Sequence, residues 1–302
     1  MSSLAAIPGT GPATSPIPVL RKSQRRGFND LPTDRTLVMG IVNITHNSFS
    51  DGGQFPDADA AIKHALTLVK QGADIIDVGG ESTAPGAEPV SLQVERDRVI
   101  PVIEALVKYG VVVSVDTMHA EIAEEALASG PVIINDVSGI HVTDKMIELV
   151  ARSGAHYILM HNRGTAQTMD AMANYEDVAA DVVAELRHTR QRFLDAGVKP
   201  EQLIIDPGLG FAKKAKHNWT LLAHLDQLAE LGHPVLVAAS RKRFLGRMLK
   251  KAGLPAEPRE RDTATAAVSA LAAAHGAWAV RVHEVEASVA AVQVARKWTG
   301  SN

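Results

Sequence analysis

The chain of 302 residues contains no cysteine. Disulfide bonds, thiolate metal sites and thiol nucleophiles are therefore excluded. Aromatic residues are also scarce, at 4% of the sequence against an apolar total of 46%. A core built from these residues must be mainly aliphatic, which suits narrow strands packed against alanine-rich helices.

The chain lacks a large excess of either charge, since its formal net charge is −3. It does not have the strongly basic balance of a nucleic-acid-binding protein. No stretch approaches the roughly 18 to 20 apolar residues that a membrane span needs. We therefore expect neither a nucleic-acid partner nor a membrane partner.

Residues 1–34 differ in composition from the rest of the chain. They are rich in Ser, Pro, Gly and Thr and carry a basic cluster at 21–26. Such a segment cannot bury enough apolar surface to order itself, so we predict a flexible N-terminal arm followed by one folded domain over residues 35–302. A secretory signal places basic residues ahead of an apolar run, and this segment does not show that order. We expect a soluble cytoplasmic protein.

Eight short apolar runs, rich in Val, Ile and Ala, alternate with longer amphipathic segments. This pattern predicts parallel strands buried on both faces and helices between them. Eight such units fit a single (β/α)8 TIM barrel of the α/β class, for which about 250 residues is a usual length. The active site of such a barrel lies on the loops after the strands, so the polar residues that end the runs should converge on one mouth. These residues are Asn43, Glu81, Asp116, Asn135, His161, Asp206, Ser240 and His283.

The eight strands are predicted at residues 37–42, 74–78, 111–115, 132–134, 156–160, 203–205, 235–239 and 278–282. The segment 241–276 is long for one crossover. We interpret it as two helices joined by the charged, proline-containing stretch PAEPRERD. The second helix is dominated by Ala and Val, which suits packing against the barrel wall or, as a bolder reading, against a second subunit.

Three polar residues, Asp116, Asn135 and Asp206, end otherwise apolar runs. Two carboxylates and a carboxamide around one cavity would suit a flat heterocycle that presents N–H groups. Because an unpartnered buried carboxylate is strongly disfavoured, each carboxylate must pair with a ligand or a cation. The alternative is that each residue caps the following helix, since Asp and Asn are favoured N-caps.

A second group is cationic and lies around the last two predicted strands. Ser240, Arg241 and Lys242 follow strand seven, and Arg281 and His283 lie at strand eight. Barrels of this kind frequently bind phosphate with the loops after these two strands, so we expect a phosphate or diphosphate there. Arg281 is the sharpest signal because a charge inside an apolar strand needs a partner.

Two glycine-containing loops complete the pattern, THNSFSDGG after strand one and GGESTAPGA after strand two. Glycine permits close backbone approach and hinge motion, so such loops can close over a reacting centre. Phe49 would provide an apolar wall for a second substrate.

Eight segments in this order resemble the dihydropteroate synthases of the pterin-binding barrel family. The matching segments are MGIVNIT with SFSDGG, DVGGEST with PGA, SVDT, INDVSG, LMH, DPGLGFAK, SRKRFLG and RVHEV. They extend from residue 38 to about residue 286, which is nearly all of the predicted domain. The resemblance implies condensation of 6-hydroxymethyl-7,8-dihydropterin diphosphate with 4-aminobenzoate to give 7,8-dihydropteroate and diphosphate.

The resemblance also implies roles for individual residues, with Asp116, Asp206, Lys242, Arg281 and His283 as the catalytic set. The pterin would be held by Asp116, Asn135, Met160, Asp206, Phe211 and Lys242. The 4-aminobenzoate site would be shaped by Phe49, Thr83, Pro85 and Ser240. Diphosphate would be bound by Asn43, Arg281 and His283. Asn43 would also help to bind Mg²⁺, the one implied cofactor, and a homodimer is the implied assembly.

Two loop residues depart from the family pattern. Asn47 replaces a usual acidic residue, following His46, and Ala84 replaces the usual Arg of loop two. The loss of an Arg removes a charge-assisted contact typically worth about 1.5 to 3 kcal/mol. These departures leave open a pterin-binding paralogue that does not catalyse. A methyltetrahydrofolate-dependent methyltransferase barrel is a third reading, which SFSDGG, SRK and RVH disfavour.

Overall fold

A computed structural model of the chain describes residues 25–44, 56–81, 88–165 and 167–300. Within them, every predicted strand is present, with edges shifted by one or two residues and with the seventh strand shorter than predicted. The strands are β1 (Leu37–Asn43), β2 (Ile75–Gly79), β3 (Val113–Asp116), β4 (Ile133–Asp136), β5 (Tyr157–Met160), β6 (Leu203–Asp206), β7 (Leu236–Val237) and β8 (Ala279–Val282).

The eight strands form one parallel sheet in the order β6-β5-β4-β3-β2-β1-β8-β7. The two ends of this order meet, because the amide of Ile205 donates to the carbonyl of Pro234 at 2.8 Å and Ile205 forms a bridge with Val235. The sheet is therefore a nearly closed barrel, and the predicted (β/α)8 fold is confirmed.

Helices follow the strands in the predicted alternation. They are α1 (Pro56–Lys70), α2 (Leu92–Lys108), α3 (Ala120–Ser129), α4 (Asp144–Ser153), α5 (Val178–Asp195), α6 (Ala215–Ala223), α7 (Leu225–Ala229), α8 (Arg243–Lys251), α9 (Asp262–Ala274) and α10 (Val285–Trp298). The two helices predicted within 241–276 are α8 and α9. Over the described residues, no helix has both the length and the apolar character needed to cross a bilayer.

Side chains alternate between the inside and the outside of the barrel, as strand geometry requires. In β1, Leu37 and Met39 belong to the apolar cluster inside the barrel, whereas Val38 and Val42 pack outward against the helices. The other strands repeat this parity, so the lower interior, near the amino-terminal ends of the strands, is a layer of mainly aliphatic side chains. The inward positions nearer the carboxyl ends of the strands are polar, and they form the site.

The amino-terminal end of the barrel is covered by residues that fall inside the predicted arm. The ring of Phe28 stacks on His156 at 3.8 Å and on Trp278 at 5.6 Å between centroids. Leu31 is buried in the interior cluster. Packing of these two side chains joins residues 25–34 to the folded body, whereas residues 1–24 lie outside the described part of the chain.

Candidate active site

Polar side chains from several strands occupy the upper interior of the barrel. Asp77 lies two residues after the inward Ile75 of β2, and Asp116 and Asn135 have the same parity in β3 and β4. Asp206 and Arg281 complete the layer in β6 and β8. The period of two therefore brings together residues far apart in sequence, as the convergence argument predicts.

Arg281 is the centre of a buried ion-pair network. Its Nε donates to Oδ2 of Asp77 at 2.6 Å, and its Nη2 donates to Oδ2 of Asp116 at 2.7 Å. The amide of Asn135 donates to both oxygens of Asp77 at 3.2 and 3.3 Å. Only 15% of the Arg281 side chain is exposed, so the cation needs these two carboxylates.

The charges of this network are set by burial and by each other. Burial raises the pKa of Asp116 to about 7, with Arg281 opposing the shift and Asp77 adding to it. Burial alone would lower the pKa of Arg281, but the neighbouring carboxylates of Asp77 and Asp116 outweigh it and raise that pKa. Arg281 is therefore a permanent cation, whereas Asp116 can change its protonation near neutral pH.

Asp206 and Lys242 form the opposite side of the site. Oδ1 of Asp206 accepts from the amide of Gly208 at 2.7 Å, which closes a tight turn after β6. Lys242 lies over the ring of Phe211, with Nζ 4.6 Å from the centroid, and donates to the carbonyl of Leu209. Burial raises the pKa of Asp206 against the opposing charge of Lys242, and burial lowers the pKa of Lys242 to about 8.

A cavity of about 380 Å³ opens beside these groups. Asn43, Phe211, Ser240, Lys242, Arg281 and His283 line it. Asp116, Asn135 and Asp206 are buried behind this lining, and Met160 is buried in register with Asp206. The cavity therefore has cations and an aromatic ring on its wall and hydrogen-bond acceptors behind them.

His283 is a neutral hydrogen-bonding group at the wall of this cavity. Burial, followed by the charges of Arg241 and Arg281, lowers its pKa to about 3. The Ser240 hydroxyl accepts from the backbone amide of His283 at 3.1 Å and lies 2.9 Å from its Nδ1. A hydroxyl that accepts from this amide can also donate to Nδ1, and in that tautomer the ring proton is on Nε2.

The sequence predicts Arg241 as one of the phosphate-binding cations, but in the structure Arg241 pairs with a carboxylate of the protein. Its Nε and Nη2 each donate to Asp262 at 2.7 Å. This bidentate pair joins the turn after β7 to the start of α9. Arg241 therefore has a carboxylate partner within the protein, outside the network of Arg281.

The helix-capping alternative does not describe Asp116, Asn135 or Asp206. The N-cap residues of the three following helices are His119 for α3, Thr143 for α4 and Lys214 for α6. Instead, the three side chains are held at the inner layer of the barrel. Their shared position supports a ligand-binding interpretation.

Several predicted site residues lie outside the described residues. They are Phe49, Thr83 and Pro85, together with the loop departures Asn47 and Ala84. Residues 45–55 and 82–87 lie outside the described part of the chain, and they include all of the first predicted closing loop and most of the second.

Sequence reasoning missed Asp77, the buried Lys213 and the half-buried Glu185. Asp77 was hidden inside the run DIIDV, which we interpreted only as a strand. Counting inward positions by twos from Ile75 would have found it. His217, at the start of α6, is also buried, with Nδ1 accepting from the amide of Lys214 at 3.1 Å.

Comparison with known proteins gives a consistent result. The profile of the pterin binding enzyme family matches residues 39–283. Dihydropteroate synthase of Mycobacterium leprae is 51% identical over 263 residues, covering 86% of this chain and 93% of the relative.

Two crystal structures resemble the fold closely. Yersinia pestis dihydropteroate synthase in complex with a sulfonamide drug has a TM-score of 0.82 and 38% identity, covering 89% of this chain and 96% of that one. Xanthomonas albilineans dihydropteroate synthase with 4-aminobenzoic acid has a TM-score of 0.80 and 42% identity, covering 88% of this chain and 93% of that one.

Proposed function

The chain belongs to the pterin binding enzyme family, and we propose that it is a dihydropteroate synthase. It condenses 6-hydroxymethyl-7,8-dihydropterin diphosphate with 4-aminobenzoate. The amine nitrogen forms a bond to the pterin methylene carbon while that carbon loses its bond to the diphosphate oxygen. The products are 7,8-dihydropteroate, diphosphate and one proton.

The observation that carries this function is the gathering of buried hydrogen-bond acceptors and of cations at one cavity. Asp116, Asn135 and Asp206 would accept hydrogen bonds from the amino and ring N–H groups of a pterin. Asp116 uses Oδ2 for Arg281, so its Oδ1 is the atom we expect to face the pterin. Lys242 would exchange the carbonyl of Leu209 for the pterin ring, and Met160 and Phe211 would contact the apolar faces of that ring.

The leaving group would be stabilised by the wall formed by β8 and the turn after β7. Loss of diphosphate builds negative charge on the departing oxygens, and Arg281 stabilises that charge more in the transition state than in the ground state. The Nε2–H of His283 would donate a hydrogen bond to the same oxygens. Because both reactants are held in one cavity, positioning contributes much of the rate.

The expected Mg²⁺ fits the donors of this site only when diphosphate is present. Asn43 provides an amide oxygen at the cavity wall, and hard oxygen donors suit Mg²⁺. Among the described residues, no cluster of three or more His, Asp or Glu side chains could hold a metal alone. When bound, the ion would neutralise charge on the diphosphate, and the substrate and water would provide its other ligands.

The 4-aminobenzoate site is proposed at the outer part of the cavity. Ser240 borders that cavity. Phe49, Thr83 and Pro85 would complete the site from the two loops outside the described residues. The related Xanthomonas albilineans structure contains 4-aminobenzoic acid, which supports the same substrate class here.

A homodimer is proposed as the assembly. Three large apolar side chains, Leu271, Val294 and Trp298, are 61% or more exposed on the adjoining helices α9 and α10. Scattered exposed apolar residues are normal on a monomer, but a group on two packed helices suits contact with a second copy. A cytoplasmic location stays an expectation from the sequence.

A two-substrate assay tests this function. Purified protein with both substrates and Mg²⁺ should release diphosphate and form dihydropteroate. Binding of 6-hydroxymethylpterin without arylamine-dependent turnover would favour the non-catalytic paralogue. Methyl transfer from methyltetrahydrofolate to an added corrinoid would favour the methyltransferase reading, which the related proteins do not support.

A further inference from the structure

Four ionisable side chains form a connected chain beside the candidate pterin pocket and have no role in the proposed reaction. One of them, Lys213, also lines the cavity. Nζ of Lys213, in the loop after β6, is 2.9 Å from Nδ1 of His161 at the end of β5. Nε2 of His161 is 3.0 Å from Oε2 of Glu185 on α5. Nε of Arg163 donates to both oxygens of Glu185 at 3.0 Å. Three separate elements are thus joined by charged or polar contacts.

The contacts fix the protonation of this chain. Burial, with the charge of Lys213 next, lowers the pKa of His161 to about 4, so the ring is neutral at pH 7. Burial alone would raise the pKa of Glu185, but hydrogen bonds from His161 and Arg163 bring it down to about 2. Glu185 is therefore a carboxylate that accepts the Nε2 proton of His161, and Nδ1 is left as an acceptor for Lys213.

The Lys213 amine is surrounded by acceptors. Besides Nδ1 of His161, its Nζ donates to the carbonyl of Phe211 at 3.0 Å and approaches the carbonyl of His161 at 3.5 Å. An ammonium has three N–H donors, and these three acceptors match them. Burial lowers the pKa of Lys213 well below its ordinary value, and the negative charge of Asp206 opposes that shift.

His161 and Lys213 also pack against the turn that holds Asp206. Gly208, whose amide donates to Asp206, has a φ of +65°. A Cβ atom on Gly208 would be 1.8 Å from the carbonyl oxygen of His161 and 3.4 Å from Nζ of Lys213. Lys213, His161 and the Asp206 turn are therefore one packed unit.

The charged groups that face Lys213 come from every neighbouring element. Asp206 on β6 and Glu185 on α5 are negative, whereas Lys242 before α8 and Arg163 after β5 are positive. A buried ammonium costs several kcal/mol of desolvation unless it is paired, so space filling alone would be better served by an apolar side chain.

We propose that Lys213 is a positioning residue for the pterin substrate. Its amino group, bonded to His161, which Glu185 holds in turn, fixes the Gly208 turn and keeps the Asp206 carboxylate oriented toward the pterin. The identity of the ligand rests on the proposed function, whereas the packed unit itself does not. Loss of the amino group should weaken pterin binding and leave the arylamine site unaffected.

The test compares Lys213→Met with Lys216→Met, which removes the same charge from an exposed position on α6. Binding of 6-hydroxymethylpterin alone is measured by calorimetry, and KM is measured for each substrate. In Lys213→Met, the pterin Kd and the KM for the pterin diphosphate should rise about tenfold or more, which corresponds to about 1.4 kcal/mol. The KM for 4-aminobenzoate should stay within about twofold of wild type, and Lys216→Met should match wild type.

A second pair of variants covers the case in which Lys213→Met does not fold. The Oδ1 of Asn can take the place of Nδ1, so His161→Asn keeps an acceptor for Lys213, whereas His161→Leu removes it. The Asn variant should retain most of the pterin affinity and the Leu variant should lose it.

Unchanged pterin affinity in a folded Lys213→Met protein, or an equal rise in both KM values, would overturn the proposal, as would equal affinities in the two His161 variants. Wild-type protein that binds the pterin but gives no product would overturn the proposed function only.

Discussion

Asp77 is the residue that joins the two halves of the candidate site. It is fully buried and contacts Arg281, assigned to the diphosphate, and Asn135, assigned to the pterin. A carboxylate in this place satisfies both donors and balances the charge of Arg281. Asp77 is therefore expected to act through its neighbours and not by touching the substrate.

Replacement of Asp77 by Asn should lower both stability and activity. The change leaves Arg281 with Asp116 as its one remaining carboxylate, and breaking a buried pair costs on the order of 3 kcal/mol. Urea unfolding should show this loss, and kcat/KM for the pterin diphosphate should fall at least tenfold. Glu124→Gln, which breaks the exposed pair with Arg152, is the control and should change stability by less than about 1 kcal/mol. Equal stability losses in both variants would contradict the role given to Asp77.

The charge of Lys242 predicts an alkaline limit to activity. Its pKa is lowered to about 8 by burial, so the ammonium that should contact the pterin is lost as pH rises through that value. The kcat/KM for the pterin diphosphate should therefore decline above about pH 8. Lys242→Arg retains its charge at these pH values and should move the decline to higher pH. If the decline stays in place in the Arg variant, another group causes it.

Deprotonation of Lys242 should lower activity but raise the free energy of unfolding. Its pKa in the folded protein is below its ordinary value of 10.5, so the unfolded chain binds the proton more tightly. The contribution of Lys242 to the free energy of unfolding should rise as pH increases from about 8 towards 10.5.

The Ala84 departure gives a prediction that follows from the sequence alone. Ala84→Arg restores the residue type usual in loop two and adds a charge-assisted contact worth about 1.5 to 3 kcal/mol. We expect kcat/KM to rise about tenfold or more, measured as diphosphate release under equal substrate conditions. Ala84→Gln, which adds length without charge, should give little or no increase. An Arg variant no faster than wild type would show that the departure does not limit catalysis.

At the scale of elements, the turn after β6 is the most constrained segment of the site. It begins at Asp206, includes Gly208 with its positive φ, and extends to Lys213, which is seven residues after Asp206. Gly210 also has a positive φ, and Lys242 packs against it. The turn therefore connects the pterin acceptor, the Lys213 chain and Lys242 in a single segment.

Gly208→Ala should disrupt this turn. The new Cβ would lie 1.8 Å from a backbone carbonyl oxygen, so the turn must shift, and the pterin affinity should fall with stability. Gly197→Ala is the matched control because Gly197 also has a positive φ, of +90°, but has open space around it. The control should lose only about 1 kcal/mol in thermal or urea unfolding and should keep its pterin affinity. Similar losses in both variants would show that φ strain, and not the contact with His161, dominates.

At the scale of the whole molecule, the exposed apolar residues of α9 and α10 predict a dimer interface. Leu271→Arg combined with Val294→Arg would place two charges in that surface and should shift a dimer to monomer, as measured by sedimentation equilibrium. The control is Val94→Arg on α2, an exposed apolar position on a different helix. A wild-type monomer, or a dimer unaffected by the double substitution, would contradict the proposed interface.

The barrel and most of the groups at its mouth could be predicted from local patterns in the chain. The apolar runs are local signals, and because parallel strands share one direction, every carboxyl end falls on the same rim. Asp116, Asn135, Asp206, Lys242 and Arg281 could be found this way. The resemblance to known synthases then supplied the chemistry of the ligands.

The contacts between these groups could not be predicted without the folded structure. Asp77 binds Arg281 across 204 positions of sequence, and Lys213 meets His161 across 52. Arg241 turns to Asp262, a pairing that no local pattern indicates. Strand periodicity specifies the face on which a side chain lies, but the partner of a buried charge depends on the register and closure of the whole barrel, which are properties of the folded chain.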